Sequence, residues 1–251
     1  MRIAYDNYID DVTSATSLTA LTENTYYPIT NVQNQRLTKV YKSTACTAQT
    51  VTINLGSAHA ITTAAILGHN ISSAATVTIS ANSSDSWPGA TSQTITYNVG
   101  MMLAYFTSVS YQYWQFSIDD GTNTDGHIEI GRLWLGDYIT VDPSSLLSFK
   151  VTKHRSDNVF HGRGRQKFAS IGTGWREFAF DFPLSDETML DKIGAMYDAV
   201  GNHSSFIFCN FDSNRNYTLV EPCYVSLKGP ITFNHQHNMK YTYSLTMEEE
   251  K

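Results

Sequence analysis

Charge is scarce in this chain. Asp, Glu, Lys and Arg make up 16% of the 251 residues, against about a quarter in an ordinary soluble protein. The net charge is -6. Residues 1–140 carry 5 Lys/Arg against 10 Asp/Glu and residues 141–251 carry 12 against 13, so nucleic acid is not an expected partner of either half. No apolar run approaches the roughly 18–20 residues that span a bilayer, which leaves no expected membrane partner. The start, Met-Arg-Ile-Ala-Tyr-Asp, lacks the apolar core of a signal peptide, and the expectation is synthesis in a cytoplasm. Cysteine is limited to Cys46, Cys209 and Cys223, without a CxxC pair or metal-ligand spacing, so they are expected to be reduced and structural.

Thr, Ser, Asn and Tyr are abundant, and 41% of the residues are hydrophobic, enough for real cores. Short apolar alternations dominate, so the expected class is mainly β. Val51, Ile53 and Leu55 alternate with polar residues in a half-buried strand that Gly56-Ser57 is expected to end. Ile61 to Gly68 is apolar at nearly every position and fits a strand covered on both faces. Val77 and Ile79, then Ile95, Tyr97 and Val99, then Tyr111 to Ile118, supply further strands separated by Ser/Asn/Asp/Gly loops, which is the spacing of a sandwich or jelly roll. Tyr26-Tyr27-Pro28 is an early landmark whose proline biases Tyr27 away from helix. The stretch Gly126 to Asp142 closes this half. Ile128, Ile130, Leu133 and Leu135 change parity at Gly131-Arg132, which predicts a bulged strand ending at Gly136.

Residues 25–140 resemble a discoidin, or galactose-binding-like, domain. The resemblance rests on Thr50-Val-Thr-Ile-Asn-Leu-Gly56, on Ile61 to Asn70 with its Leu-Gly-His-Asn ending, on Tyr113-Trp-Gln-Phe-Ser-Ile118, and on Ile128-Glu-Ile-Gly-Arg-Leu-Trp-Leu-Gly136. It implies a β-sandwich over 1–140, with an extended N-terminal segment, and it invites a sugar-binding reading. Trp87, in a polar loop, suits stacking on a pyranose face while Asp85 or Asn82 bonds hydroxyls, and His69 and Asn70 are candidates to line the same end. The bland alternatives are a Trp plugging the underside of its loop and an Asn bonding its own turn.

The second half predicts an antiparallel β domain over 141–251 with a helix at 185–200. Trp175 to Phe182 alternates until Pro183 stops it. Ser185 suits an N-cap, Gly201 a C-terminal cap, and Met189, Ile193, Met196, Tyr197 and Val200 fall at helical spacing. Strands are expected at 205–210, 217–227 and 239–247. This order of strand, helix and three strands resembles the tube-type domain of long-tailed phage tail proteins, and Gly-Arg-Leu-Trp-Leu-Gly is similar to phage distal-tail proteins. The resemblance implies a virion protein that forms a ring of identical copies, six by preference, beside tail tube and hub proteins. The glycine-interrupted basic stretch with Lys153, Arg155, Arg163, Arg165 and Lys167 then suits a flexible loop that orders against an acidic neighbour, its bland alternative being solvated surface.

No constellation predicts an enzyme, a metal site or a cofactor. Ser, His and Asp occur without a Gly-x-Ser-x-Gly elbow. His235-Gln-His237 has no third ligand nearby in sequence. Asp119-Asp120-Gly121-Thr-Asn-Thr-Asp125 has the composition of a calcium loop without its closing Glu, and an ordinary turn explains it. The expected function is structural, at the distal end of a phage tail, with binding of host-surface carbohydrate as the alternative.

Overall fold

The computed structural model describes residues 1–10, 17–141, 148–161, 163–209, 222–236 and 240–250. It is mainly β, with antiparallel sheets and a single α-helix among the described residues. One unit comprises Ala4–Tyr138 and the other Met1–Ile3 with Ile139–Lys251. They are called here the sandwich unit and the helix unit.

After β1 (Arg2–Ala4), the strands of the sandwich unit are β2 (Ser17–Ala20), β3 (Tyr41–Lys42), β4 (Gln49–His69), β5 (Thr76–Asn82), β6 (Thr91–Thr94), β7 (Met101–Asp119) and β8 (Glu129–Gly136). Their order is β3-β8-β4-β7-β5-β6, with β2 added to β4. The sequence predicts a break at Gly56-Ser57, but β4 continues through it. Gly56 takes a φ of 77°, open to glycine at little cost, and the β4–β7 ladder shifts register between Asn54 and His59. The first part of β4 has β2 as its other neighbour and the last part has β8. Side chains from both parts, among them Val51, Ile53, Ile61 and Ile66, share one core with Phe116, Leu133 and Leu135. The two long strands therefore bend over a common core. Gln49 and His69, the two termini of β4, come to the same end of the sandwich, and the bend forms the opposite end.

Two other expectations change here. Ile95, Tyr97 and Val99 do not form a strand: β6 precedes them, Ile95 is buried, and Val99 is exposed. Backbone pairing with β5 reaches only Ile95, whose N–H donates to the Val77 carbonyl at 2.9 Å. Nor is there a register shift in β8, which runs opposite β4 without interruption from Thr63↔Gly136 to His69↔Ile130. Seven of its eight residues are buried, so both faces accept large side chains and parity carries no information. Its glycines answer to close packing instead. A Cβ on Gly131 would meet the Leu37 carbonyl oxygen at 2.5 Å, and one on Gly136 would meet the Asp6 carbonyl oxygen at 2.0 Å. The outer face of β8 also buries the Arg132 guanidinium, which pairs with Asp10 and donates to the Gln33 carbonyl at 3.1 Å.

The helix unit contains β9 (Ile139–Thr140), β10 (Ser148–Arg155), β11 (Asn158–His161), β12 (Lys167–Ser170), β13 (Gly174–Ser185), α1 (Glu187–Val200), β14 (Ser205–Cys209), β15 (Cys223–Leu227), β16 (Asn234–His235) and β17 (Tyr241–Glu249). Its main sheet runs β10-β13-β17-β15-β14-β1-β9, with β16 on β17. The first residues of the chain thus complete the sheet of the second half. Arg2 lies opposite Thr140, and the Met1 ammonium donates to the Val141 carbonyl at 3.1 Å. Strand β13 does not stop at Pro183 but passes it through a register irregularity between Phe182 and Ser185, a place where a missing N–H is tolerated. Ser185 is the buried last residue of that strand, and Asp186 is the N-cap, its carboxylate accepting from the Met189 N–H at 2.9 Å. The helix buries Ile193, Met196 and Val200, and Gly201 closes it. The expected strands at 217–227 and 239–247 are seen as β15 and β17. Residues 217–221, Met239 and His237 lie outside the described residues.

The basic stretch is a hairpin. β11 and β12 form their own two-stranded ladder, from Asn158↔Ser170 to His161↔Lys167. It follows the β10–β13 ladder, which ends at Arg155↔Gly174. Two residues on one strand (156–157) face three on the other (171–173), the count of a bulge. At this joint Arg155 pairs with Asp157 at 2.9 Å, and Asp157 accepts from the Gly172 N–H at 2.8 Å.

Candidate functional site

The end of the sandwich unit where both termini of β4 meet is tied together by buried and half-buried polar groups. Asp120, fully buried just after β7, accepts from the Ser72 N–H at 2.7 Å, the Ser72 hydroxyl at 2.5 Å and the Thr122 hydroxyl at 3.1 Å. Burial pushes its carboxyl up, but the hydrogen bonds from Ser72, Thr122 and Asn123 prevail and hold it below its ordinary value. Asp119 accepts from the Ala48 N–H at 3.2 Å, and Asp125 from the Asn70 amide at 2.9 Å. Each carboxylate of the Asp119–Asp125 loop therefore accepts from at least one protein donor, Asp125 through a single oxygen. Among the described residues no three His, Cys, Asp or Glu side chains are grouped to hold a metal.

His69 and Asn70 lie at this end and are also engaged. The Asn70 amide donates to Asp125 and to the His127 carbonyl at 3.0 Å, while its oxygen accepts from the Glu129 N–H at 2.7 Å. His69 Nδ1 accepts from the Ile71 N–H at 3.2 Å, which assigns the proton to Nε2 and makes it the donor to the Asn98 carbonyl at 3.0 Å. Burial holds this imidazole below its ordinary pKa, against the pull of that carbonyl. These two residues latch loops together.

Trp87, Asp85 and Asn82 lie elsewhere. Asn82 is the last residue of β5, opposite Tyr113, which in turn faces Asn54 at the bend. The seven residues of β5 separate this loop from Asn70 and Ser72, a distance of roughly 20 Å at a strand's rise. The structure does not bring the two candidate groups together. In the loop, Asn82 donates to the Ser86 carbonyl at 2.5 Å and accepts from the Ser83 N–H at 2.8 Å, so its amide shapes the turn. Trp87 is half-buried and Asp85 exposed.

What the sequence did not single out is the surface around β3. Asn24 donates from its N–H to the Lys42 carbonyl at 2.8 Å, and the Lys42 N–H donates to the Tyr27 carbonyl at 3.1 Å, which docks the turn carrying Tyr26 and Tyr27 onto the strand. Glu23 accepts from the Ile29 N–H at 2.9 Å and closes the turn before Ile29–Gln33. Tyr26 is left 86% exposed. The Lys42 ammonium lies 4.9 Å from the centre of the Tyr27 ring and 2.6 Å from Glu129, whose carboxylate stands 3.9 Å from His127. The Glu129 hydrogen bond holds Lys42 above its ordinary pKa despite some desolvation, with Tyr27 and Asp125 adding to the pull. Among the described residues, the large hydrophobic side chains that the sandwich unit exposes are Leu21, Tyr26, Tyr27 and Val99. All four belong to segments at this end: Leu21 bonds Thr50 beside the start of β4, and Gly100, next to Val99, accepts from the Gly68 N–H at its finish. Aromatic faces, an ammonium, two carboxylates and an imidazole thus share one surface, a combination that can stack on a ring and exchange hydrogen bonds with hydroxyls.

The interface candidates of the helix unit lie on the hairpin or at its root: Lys153 and Arg155 on β10, Arg163 and Arg165 in the turn, Lys167 on β12. All five are exposed, and Arg155 is spent on Asp157.

No family model matches the sequence, and no curated protein matches it. Among solved structures the chain is similar to the family 32 carbohydrate-binding module of C. perfringens NanJ in complex with galactose, at 15% identity over 55% of this chain and 100% of that one, with a TM-score of 0.42. It is similar to chitosan-binding module 1 of a Paenibacillus sp. IK-5 chitosanase/glucanase, at 18% identity over 53% of this chain and 99% of that one, with a TM-score of 0.42. A Ruminococcus gnavus GH29 fucosidase in complex with fucose is similar at 11% identity over 53% of this chain and 27% of its own, with a TM-score of 0.44.

Proposed function

We propose that the sandwich unit is a carbohydrate-binding module whose site is the surface of Tyr26, Tyr27, Lys42, Asp125, His127 and Glu129. The observation that carries this reading is that the large exposed apolar side chains among the unit's described residues gather at the end where these charged groups also lie. Exposed tyrosine costs solubility and gains nothing for the core, whereas an aromatic face beside hydrogen-bonding groups fits a pyranose, apolar on one face and ringed by hydroxyls. Lys42 is a donor to ring or hydroxyl oxygens, and Asp125 and Glu129 accept from hydroxyls. The sequence resemblance to galactose-binding-like domains points the same way. A glycan array probed with the full chain tests the reading: binding to a defined set of glycans is expected, and an array with no binding at all removes it.

A second reading has one feature in its favour. Assembly of copies of the chain in a phage tail, beside tube and hub proteins, requires an exposed contact element, and the hairpin with Arg163, Arg165 and Lys167 is one. The two readings are compatible, since a tail component at the host surface meets glycans.

A further inference from the structure

Among the described residues the helix unit, like the sandwich unit, gathers its exposed large hydrophobics in one place. Val159, Phe160, Phe168 and Ile171 all belong to the hairpin, at 47%, 59%, 48% and 73% exposure. Every residue of β11 and β12 is exposed, so among the described residues none covers either face. Phe160 and Phe168 stack on each other across the ladder with centroids 5.9 Å apart, a cross-strand pair that holds the ribbon's register but leaves its outer surface bare. A two-stranded ribbon with an uncovered apolar face is marginal in water, and it gains stability when something lies against it.

Charge says what. Residues 156–173 contain Arg163, Arg165 and Lys167 against Asp157 alone, and Asp157 is already paired with Arg155. Among the described residues Arg163, Arg165 and Lys167 form no ion pair. A second hairpin is excluded as the occupant, because it would set like charges face to face. The helix unit supplies the opposite charge itself. Glu187, Asp191 and Asp198 of α1 are exposed and, at separations of four and seven residues, fall within about 40° of one another around the helix. They too form no ion pair among the described residues. Between them are Gly194 and Ala195, and even a Cβ built on Gly194 would meet nothing within 4 Å. The stripe is flat and open enough for a ribbon to lie on.

We infer that the hairpin of one copy docks on the acidic outer stripe of α1 in a second copy, with Arg163, Arg165 and Lys167 facing Glu187, Asp191 and Asp198 and the Phe160–Phe168 face buried in the contact. Such a contact is heterologous, hairpin to helix, so repetition gives a closed ring or an open chain rather than a two-fold dimer. The hairpin's 18 residues approach the roughly 20–30 per side of a stable interface, which makes a single contact weak and a closed ring favourable. The inference takes from the assembly reading only that copies associate, and it is independent of the glycan site.

The test uses two charge-reversed full-length variants, R163E/R165E and D191R/D198R, followed by sedimentation at up to about 100 μM, where a contact this small is populated. The parent chain is expected to form oligomers that weaken as salt is raised. Each variant alone is expected to be monomeric, with its thermal midpoint unchanged because the altered groups are exposed. An equimolar mixture is expected to regain the parent's assembly, since each reversed surface then meets its complement. A parent that oligomerises equally well with either variant pair overturns the inference while leaving assembly intact. A parent that remains monomeric at every concentration overturns both. Two monomeric variants whose mixture stays monomeric also overturn it, because loss without rescue means the two surfaces do not face each other.

Discussion

Replacing Asp120 by alanine should loosen the end of the sandwich proposed to bind glycans by an amount that can be estimated from its bonds. The carboxylate, itself buried, receives the Ser72 N–H and two hydroxyls at 2.5–3.1 Å, from a half-buried Ser72 and an exposed Thr122. A hydrogen bond to a charged group contributes about 1.5–3 kcal/mol, and a buried N–H left without an acceptor costs about 1–3 kcal/mol. Two of the donors are hydroxyls able to turn elsewhere, so the expected loss is about 3–4 kcal/mol rather than the sum. The effect carries a pH signature. The folded carboxyl is held below its unfolded value, so the folded state binds fewer protons than the unfolded one near pH 4. The stabilisation is therefore fully present above that pH and disappears as pH falls through the folded value. Urea unfolding of parent and D120A from pH 7 down to pH 3 should show a constant gap at neutral pH that narrows in acid. A gap below about 1 kcal/mol at pH 7, or one that stays the same at pH 3, would refute the bonding scheme.

Other outcomes follow from the same structure. Asp10→Ala removes the carboxylate from the guanidinium of Arg132, itself 1% exposed, and should cost about 3–5 kcal/mol in chemical denaturation. Gly136→Ala forces the Asp6 backbone away and should lower the thermal midpoint by several degrees, equivalent to about 1–3 kcal/mol or more, while Gly89→Ala, which would meet no neighbour but sits at a φ of 77°, should cost only about 1 kcal/mol. Asn70→Ala removes the link between Asp125 and the Glu129 N–H, and should raise amide exchange of Glu129 more than that of the β4–β7 ladder.

The strands most legible in the sequence were those with one wet face. Val51 to Leu55 and Tyr241 to Met247 alternate because only one face of each is fully buried, and both are strands. Continuity was not legible: whether Gly56 ends a strand or bends it depends on β7 remaining beside it, which is a long-range fact. In β8 the apolar parity was misleading because Arg132 and Trp134 are buried on the second face, the guanidinium 5.5 Å from the indole. The basic stretch looked like a loop because its glycines and charges are local, while Val159↔Ala169 and Phe160↔Phe168 are pairings that no local pattern announces. At the candidate site the signal was on the page in Tyr26-Tyr27-Pro28, but exposure separates a binding aromatic from a core aromatic, and exposure comes only from the fold. His69 and Asn70 lie at the same end as Tyr26 and Tyr27, where their hydrogen bonds latch loops together.

The account's central claim is that the glycan surface is the end with Tyr26 and Tyr27, not the bend with Trp87. Calorimetric titration of the full chain with its best array ligand, compared across Tyr26→Ala, Tyr27→Ala and Trp87→Ala, tests it most directly. Loss of a stacking ring should weaken binding at least about tenfold, or ~1.4 kcal/mol, in each tyrosine variant and leave Trp87→Ala at the parent's affinity. Tyrosine variants that bind as the parent does, with Trp87→Ala the one that weakens binding, would contradict it.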